Sequence, residues 1–158
     1  MALLELKVPR EWVDYNGHMN DAEYARAFSL GVEALMERIE LDAEGRQRHG
    51  YTIYTLETHL CYRRAAHEGQ ALCIDVTLLE RDAKRLHVLF TMQDTAGHLL
   101  ASSEQMLMGI DSLNGRPAPF PGAADKAIDT LPQADTWPEL AGRRIGLPAR
   151  RDAVRADG

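Results

Sequence analysis

The sequence predicts an α+β fold in which one long helix packs against an antiparallel sheet. Residues 20–39 repeat apolar side chains at spacings of three and four, which is typical of a helix buried along a broad face. Four later stretches alternate apolar and polar side chains, as strands do. Because only short breaks separate these stretches, they favour hairpins over the longer crossovers of a parallel sheet.

The first element is a short strand over residues 4–8, and it ends at a proline that has no N–H for a ladder. A stretch of turn-forming residues follows at 14–18. Asn20 or Asp21 is a natural N-cap for the long helix. Asp21 and Glu23 suit the positive end of the helix dipole, so the helix is predicted to start here.

The four alternating stretches cover residues 54–63, 72–78, 85–93 and 100–110, with breaks at 67–69, 81–83 and 95–97. This order predicts a meander, which with the first strand makes a five-stranded sheet around the central helix. Prolines then become frequent, and a short helix is expected near 123–130. We predict one domain at 1–146, with a core of about 3–111, an extension at 112–146 and a flexible basic tail at 147–158.

Composition excludes several classes of protein. The chain has 158 residues and a net charge of −6, which argues against non-specific nucleic-acid binding. Neither a membrane-spanning apolar stretch nor a signal peptide is visible, so we expect a cytoplasmic protein without a membrane partner. Cys61 and Cys73 are then expected to be reduced thiols.

The densest group of reactive side chains lies between the first strand and the long helix. Backbone N–H groups at a helix N-terminus lack intrahelical partners and can polarise a carbonyl, as an oxyanion hole does. The carboxylate of Asp14, a few residues upstream, could attack that carbonyl or activate a water. The same residues could equally form only a turn and a helix cap.

The stretch DYNGHMNDAEY at 14–24 resembles the D-x-x-G-H-x-N-x-x-x-Y segment of hotdog-fold acyl-CoA thioesterases of the 4-hydroxybenzoyl-CoA thioesterase type. The order of elements over about 3–111 is also similar to theirs. The resemblance implies a single hotdog domain in which Asp14 is catalytic. It also implies that backbone donors around Gly17, His18, Met19 and Asn20 polarise the thioester carbonyl.

Three longer segments, VDYNGHMNDAEY, YTLETHLCYRR and KRLHVLFTMQDTAGHLLASSEQM, look like the betainyl-CoA thioesterases of carnitine degradation. This resemblance implies hydrolysis of betainyl-CoA to glycine betaine and coenzyme A. Coenzyme A is then part of the substrate, and no other cofactor is expected. The alternatives are a thioesterase for a neutral short-chain or aromatic acyl-CoA, and a hotdog protein that binds acyl-CoA without hydrolysing it.

A betainyl group carries a trimethylammonium ion, which aromatic faces and a nearby carboxylate bind. The candidates for the acyl pocket are Trp12, Tyr15, Asn16, Tyr24, Phe28, Glu57 and His59. The aromatic residues could instead fill the core, and Glu57 with His59 could lie on a solvated sheet face. No H-E-x-x-H or C-x-x-C spacing is present, so we predict no metal.

The phosphates of coenzyme A need basic partners. The candidates are Arg63, Arg64, Lys84 and Arg85, which lie near predicted strand ends. Ordinary surface charge is the alternative explanation. Hotdog domains pair so that two sheets join, which implies a homodimer or a dimer of dimers, and an open edge strand favours such pairing.

Overall fold

The structure of this chain is a computed structural model that describes residues 2–148. Its strands are β1 (Leu4–Lys7), β2 (Tyr51–Tyr62), β3 (Ala71–Arg81), β4 (Arg85–Gln93), β5 (Leu99–Asp111) and β6 (Arg116–Pro117). Its helices are α1 (Asp21–Arg38), α2 (Ala43–His49) and α3 (Gly122–Ile128), and a 3-10 turn spans Arg10–Trp12. Residues 149–158 of the predicted tail lie outside the described residues.

Helix α1 begins where the sequence predicts. The side chain of Asn20 accepts a hydrogen bond from the Ala22 N–H at 3.0 Å, a cap that stabilises a helix by about 1 kcal/mol. Gly31 brings the helix close to the sheet, because a Cβ atom there would lie 3.3 Å from Cγ2 of Ile74. The rings of Phe28 and Phe90 meet in the same interface, with centroids 6.3 Å apart. The sheet therefore wraps one side of α1, as predicted.

The strand order is β1-β3-β4-β5-β2, and the two-residue β6 is added beside β5. All of these pairings are antiparallel. The predicted five-stranded sheet is confirmed, but the hairpin expected between the second and third strands is wrong. Residues 63–70 pass the end of the sheet instead, where the Met19 N–H donates to the Ala66 carbonyl at 2.8 Å. Strand β2 is consequently an edge strand whose neighbour is β5.

A β-bulge in β2 decides which side chains face α1. Thr55 is opposite Leu107, whereas Glu57 is opposite Met106, so Leu56 has no partner residue. After the bulge, Tyr62 lies on the face that α1 covers, where its ring makes an edge contact with Tyr24 at 5.1 Å. We call this the inner face. Since side chains alternate along a strand, Glu57 lies on the opposite or outer face, and so does His59.

The chain after α3 crosses the outer face of the sheet; we call residues 129–148 the C-terminal segment. At β3, the Leu78 N–H donates to the Pro132 carbonyl at 2.8 Å. At β4, the rings of His87 and Trp137 are 5.4 Å apart. At β5, the N–H of Gly142 donates to Glu104 at 2.7 Å. The segment thus passes three strands in spatial order and approaches β2.

The two short helices compare differently with expectation. Helix α3 confirms the short helix predicted near 123–130. Helix α2 falls in a polar stretch for which no element was predicted. It is capped by Asp42, whose side chain accepts from the Gly45 N–H at 2.8 Å, and it ends at Gly50 with a left-handed φ of 57°. Almost all of α2 is exposed, so no apolar period marked it.

Candidate functional site

The loop between β1 and α1 is a tight hairpin held by backbone hydrogen bonds. Val13 and Met19 form an antiparallel bridge, and inside it the Asp14 N–H donates to the His18 carbonyl at 2.9 Å. The Gly17 N–H donates back to the Asp14 carbonyl at 3.0 Å. Gly17 has a φ of 75°, a conformation that glycine adopts without strain. These hydrogen bonds therefore hold Asp14 in a fixed position on the loop.

The Asp14 carboxylate is half-buried, and its two oxygens differ. Oδ1 accepts hydrogen bonds from the Asn16 N–H at 2.8 Å and the His18 N–H at 3.2 Å. Within residues 2–148, Oδ2 accepts no hydrogen bond. One oxygen thus fixes the carboxylate on the loop, while the other is left to attack a carbon or to take a proton.

The backbone donors predicted around residues 17–20 already have acceptors in the chain. Gly17 donates to Asp14, and His18 donates to the Asp14 side chain. Met19 donates to the Ala66 carbonyl, and Asn20 donates to the Trp12 carbonyl at 2.8 Å. These N–H groups hold the loop in shape.

The backbone N–H of Asp21 is a donor that was not among those predicted from the sequence. Asp21 is the first residue of α1, and its N–H has no acceptor among the residues that the structure describes. The next N–H, of Ala22, is taken by the Asn20 side chain, and that of Glu23 donates to the Asn20 carbonyl. This donor could have been predicted from the sequence, because the N–H of the residue after the N-cap has no acceptor within its helix.

Tyr24 joins α1 to the chain that follows β2. Its hydroxyl accepts from the Ala66 N–H at 3.0 Å and donates to the Arg64 carbonyl at 3.3 Å. Burial raises the pKa of Tyr24, and the hydrogen bond from Ala66 offsets part of that rise. The phenol therefore stays protonated at neutral pH and positions residues 64–66 beside the Asp14 loop.

The other predicted acyl-pocket residues do not come together within one chain. Tyr15 is 97% exposed at the tip of the loop, next to exposed Asn16, while Trp12 is half-buried. Phe28 is buried against Phe90. Glu57 and His59 lie on the outer face of the sheet, away from α1. Their assignment to an acyl pocket stays a prediction.

The four predicted basic residues form two separate pairs. Arg63 and Arg64 follow β2, and both backbone N–H groups donate to the Leu100 carbonyl near the start of β5. Lys84 and Arg85 lie in the β3–β4 turn, near the opposite end of β5. Eight residues of strand, from 100 to 108, span about 26 Å, so one phosphate cannot contact both pairs of a single chain.

The basic residues of the β3–β4 turn, Lys84 and Arg85, are also bound by the Asp82 carboxylate. Asp82 accepts from the Lys84 N–H at 2.9 Å and forms an ion pair with Arg85 at 2.5 Å. The hydrogen bond from the Arg85 side chain is the largest cause that lowers the pKa of Asp82, to about 2. The charge of Arg85 is therefore partly neutralised, whereas no ion pair of Arg63 or Arg64 occurs within residues 2–148.

A second cluster of titratable groups lies on the outer face. His87 bridges two carboxylates, with Nδ1 2.9 Å from Glu80 and Nε2 2.6 Å from Glu104. Burial lowers the pKa of His87, but the hydrogen bonds with both carboxylates outweigh burial and raise it overall. A cavity of about 350 Å³ adjoins the cluster and includes Glu57, His59 and Arg143 in its walls. The cluster joins three strands, so strand order was needed to detect it.

Neither a metal site nor a membrane span is found in the part of the chain that the structure describes. No group of three or more His, Cys, Asp or Glu side chains there could hold a metal ion. No described helix is long and apolar enough to cross a membrane. Cys61 and Cys73 are both free thiols, as expected.

Comparisons with known proteins agree on one family. The family model for the Thioesterase-like superfamily matches residues 8–128. A betainyl-CoA thioesterase from Pseudomonas aeruginosa is 40% identical over 151 residues, which cover 93% of this chain and 95% of that protein. An L-carnitine dehydrogenase/betainyl-CoA thioesterase from Rhizobium meliloti is 33% identical over 92% of this chain, which spans only 30% of that longer protein.

Among solved structures, a Staphylococcus aureus protein in complex with CoA superposes with a TM-score of 0.85. It is 31% identical, and the match covers 92% of this chain and 94% of that one.

Proposed function

The chain belongs to the Thioesterase-like superfamily. We propose that it hydrolyses betainyl-CoA to glycine betaine and coenzyme A. Its reaction class is thioester hydrolysis. The single observation that supports betainyl-CoA as the substrate is the 40% identity, over nearly the full length of both chains, with a relative named for this substrate.

The proposed chemistry is centred on Asp14. Hydrolysis forms a bond between a water oxygen and the carbonyl carbon, and it breaks the bond from that carbon to sulfur. In one route, Oδ2 of Asp14 takes a proton from the attacking water, and that proton passes to the departing thiolate. In the other, Oδ2 attacks the carbon, expels the thiolate, and leaves an anhydride that water then cleaves. The free Oδ2 supports both routes.

In this proposal the N-terminus of α1 polarises the thioester carbonyl. We place the carbonyl oxygen at the N–H of Asp21, because this amide of the first helical turn has no acceptor among residues 2–148. The helix dipole adds positive potential at the same point, which favours the negative charge that develops on the oxygen. The predicted donors Gly17, His18, Met19 and Asn20 then act by holding the loop. The His18 N–H, bonded at 3.2 Å, is the weakest of their contacts.

The substrate experiment compares betainyl-CoA with 3,3-dimethylbutyryl-CoA, which differs only in a neutral carbon at the position of the charged nitrogen. We expect a clear preference in kcat/KM for betainyl-CoA, because aromatic faces and carboxylates favour the cation. Equal values of kcat/KM would support thioester hydrolysis but contradict betainyl-CoA as the specific substrate. Binding of both compounds without thiol release would instead support a protein that only binds acyl-CoA.

We further propose that two copies pair along β2. Among the described residues 2–148 this strand has a neighbour on one side only, which leaves a row of its backbone N–H and C=O groups unpaired there. Tyr54, Leu56 and Tyr62 on it are each about half exposed, at 53%, 51% and 50%. A second copy would pair the backbone groups and cover these side chains.

Light scattering tests the pairing. We expect a particle of twice 17.7 kDa or more, and a shift toward 17.7 kDa for Leu56→Asp. Leu113→Asp is the control, since Leu113 is 90% exposed in the turn after β5, beside Gly50, and is not part of β2. Dissociation by both variants, or by neither, would contradict pairing through β2.

A further inference from the structure

The C-terminal segment brings an arginine to the end of β2. Gly142 is fixed on β5, because its N–H donates to Glu104 at 2.7 Å. Trp137 closes the preceding turn, with its indole N–H donating to the Ala141 carbonyl at 3.3 Å. The next residue after this anchored turn is Arg143, which is half-buried. Its position is therefore set by the sheet and is not that of a free tail.

Arg143 and Arg63 line one cavity of about 370 Å³, together with Glu139 and Leu140. Neither arginine forms an ion pair anywhere in residues 2–148. Two guanidinium groups around one space repel each other, and an anion between them relieves that repulsion. Arginine side chains also bind phosphate oxygens with two parallel hydrogen bonds, which makes phosphate a fitting occupant.

This cavity lies within reach of the proposed catalytic loop. From Arg63 to Ala66 the chain spans at most about 11 Å. Ala66 is bonded directly to Met19 of the loop. A ligand whose thioester is at Asp14 can therefore reach Arg63 with its remote end. Lys84 and Arg85, by contrast, lie at the far end of β5.

We propose that Arg143, together with Arg63, binds a phosphate of the coenzyme A moiety, so that the C-terminal segment forms part of the substrate site. This inference rests on the proposed function and deepens it. Glu139 opposes the phosphate by its charge and weakens binding. The segment thereby makes the enzyme selective for coenzyme A thioesters over thioesters of the shorter pantetheine arm.

The experiment measures kcat/KM for three betainyl thioesters: those of coenzyme A, of dephospho-coenzyme A, which lacks the 3′-phosphate, and of pantetheine, which lacks all phosphates. For Arg143→Ala we expect KM for the coenzyme A thioester to rise about tenfold, the loss of one charge-assisted hydrogen bond. The ratio of kcat/KM between the coenzyme A and pantetheine thioesters falls by the same factor. If Arg143 binds the 3′-phosphate, the wild-type enzyme has a higher KM for the dephospho-coenzyme A thioester than for the coenzyme A thioester. If Arg143 binds the pyrophosphate, the wild-type KM is similar for these two thioesters.

Companion variants separate charge from structure. Arg143→Lys keeps the charge and restores part of the ratio, and Glu139→Gln lowers KM for the coenzyme A thioester. The control is Arg48→Ala, an exposed arginine of α2. Equal losses on the coenzyme A and pantetheine thioesters, or no loss on either, would overturn the proposal. If the wild-type chain hydrolyses none of the three, calorimetry of coenzyme A binding to wild type and Arg143→Ala still tests the site, independently of the proposed function.

Discussion

The Glu104 carboxylate binds His87 with one oxygen and the C-terminal segment with the other. Nε2 of His87 lies 2.6 Å from Oε2 of Glu104, and Oε1 accepts the Gly142 N–H at 2.7 Å. The rings of His87 and Trp137 also meet at an edge contact. One half-buried carboxylate thus joins β4, β5 and the segment that carries Arg143.

Glu104→Ala is therefore expected to loosen the C-terminal segment. It removes hydrogen bonds to a charged group, each worth about 1.5–3 kcal/mol, and leaves His87 without the more buried of its two carboxylate partners. Thermal unfolding should shift to lower temperature, and Trp137 emission should move to longer wavelength in a Trp12→Phe background. Glu80→Gln is the matched control, because the Glu80 side chain is 65% exposed and should give the smaller effect. Equal effects would show that Glu104 is not the anchor.

The same pair predicts a pH dependence of stability. The pKa of His87 is raised above 6.5 in the folded chain, so its protonated form is favoured by folding. This contribution is fully present below pH 6.5 and is lost as pH rises through the folded-state pKa. Urea unfolding of wild type and His87→Gln should give a difference in unfolding free energy that shrinks above pH 6.5. A difference that grows with pH would reverse the assigned direction. Glu80 and Glu104 bind His87 directly. The other charged or titratable groups around the two cavities that His87 lines are Glu57, His59, Arg143, Arg144, Arg81, Asp82 and Arg85.

Asp14→Asn is expected to lower kcat by about 10²–10⁴-fold, the usual contribution of a general base. Its amide oxygen can still accept from Asn16 and His18, so the loop is retained and the melting temperature should change little. Thiol release measures the rate. Single-turnover hydrolysis in ¹⁸O-water then separates the routes, because only the anhydride route transfers label into the Asp14 carboxylate. Wild-type kcat in the Asn variant would remove Asp14 from the mechanism.

The Asp21 N–H can be removed by proline. Proline is well tolerated at the first position of a helix, and Asn20 already has the extended backbone, φ −62° and ψ 142°, that a residue before proline adopts. Asp21→Pro should lower kcat by about 10²–10³-fold, as loss of an oxyanion donor does. Asp21→Ala is the control, since it removes the carboxylate and keeps the N–H. If both variants lose the same activity, the side chain and not the amide is responsible.

Local features of this chain could be predicted from the sequence because neighbouring residues produce them. Asn20 caps α1 at the predicted position, and the loop carrying Asp14 is where turn-forming residues meet the helix start. Both depend on contacts within a few residues. The likeness of this segment to a known family then indicated the reaction class.

Other features depend on pairings between distant residues. Alternation in residues 54–63 predicts a strand but does not say that its neighbour is β5. The bulge at Leu56 reverses the alternation, and this placed Glu57 and His59 on the outer face instead of beside α1. Strand pairing also sets two of the predicted basic residues, Arg63 and Arg85, at opposite ends of β5.

The sequence by itself determined α1, the position of Asp14 at its N-terminus, and the alternating strands, because hydrophobic period and capping act over a few residues. The tertiary structure decided the strand order, the faces of β2 and the path of the C-terminal segment. It also decided that the N–H groups of Gly17 to Asn20 have acceptors within residues 2–148, whereas that of Asp21 has none there. These depend on which distant backbone groups pair, and many registers satisfy one period-two pattern, so only the folded chain selects among them.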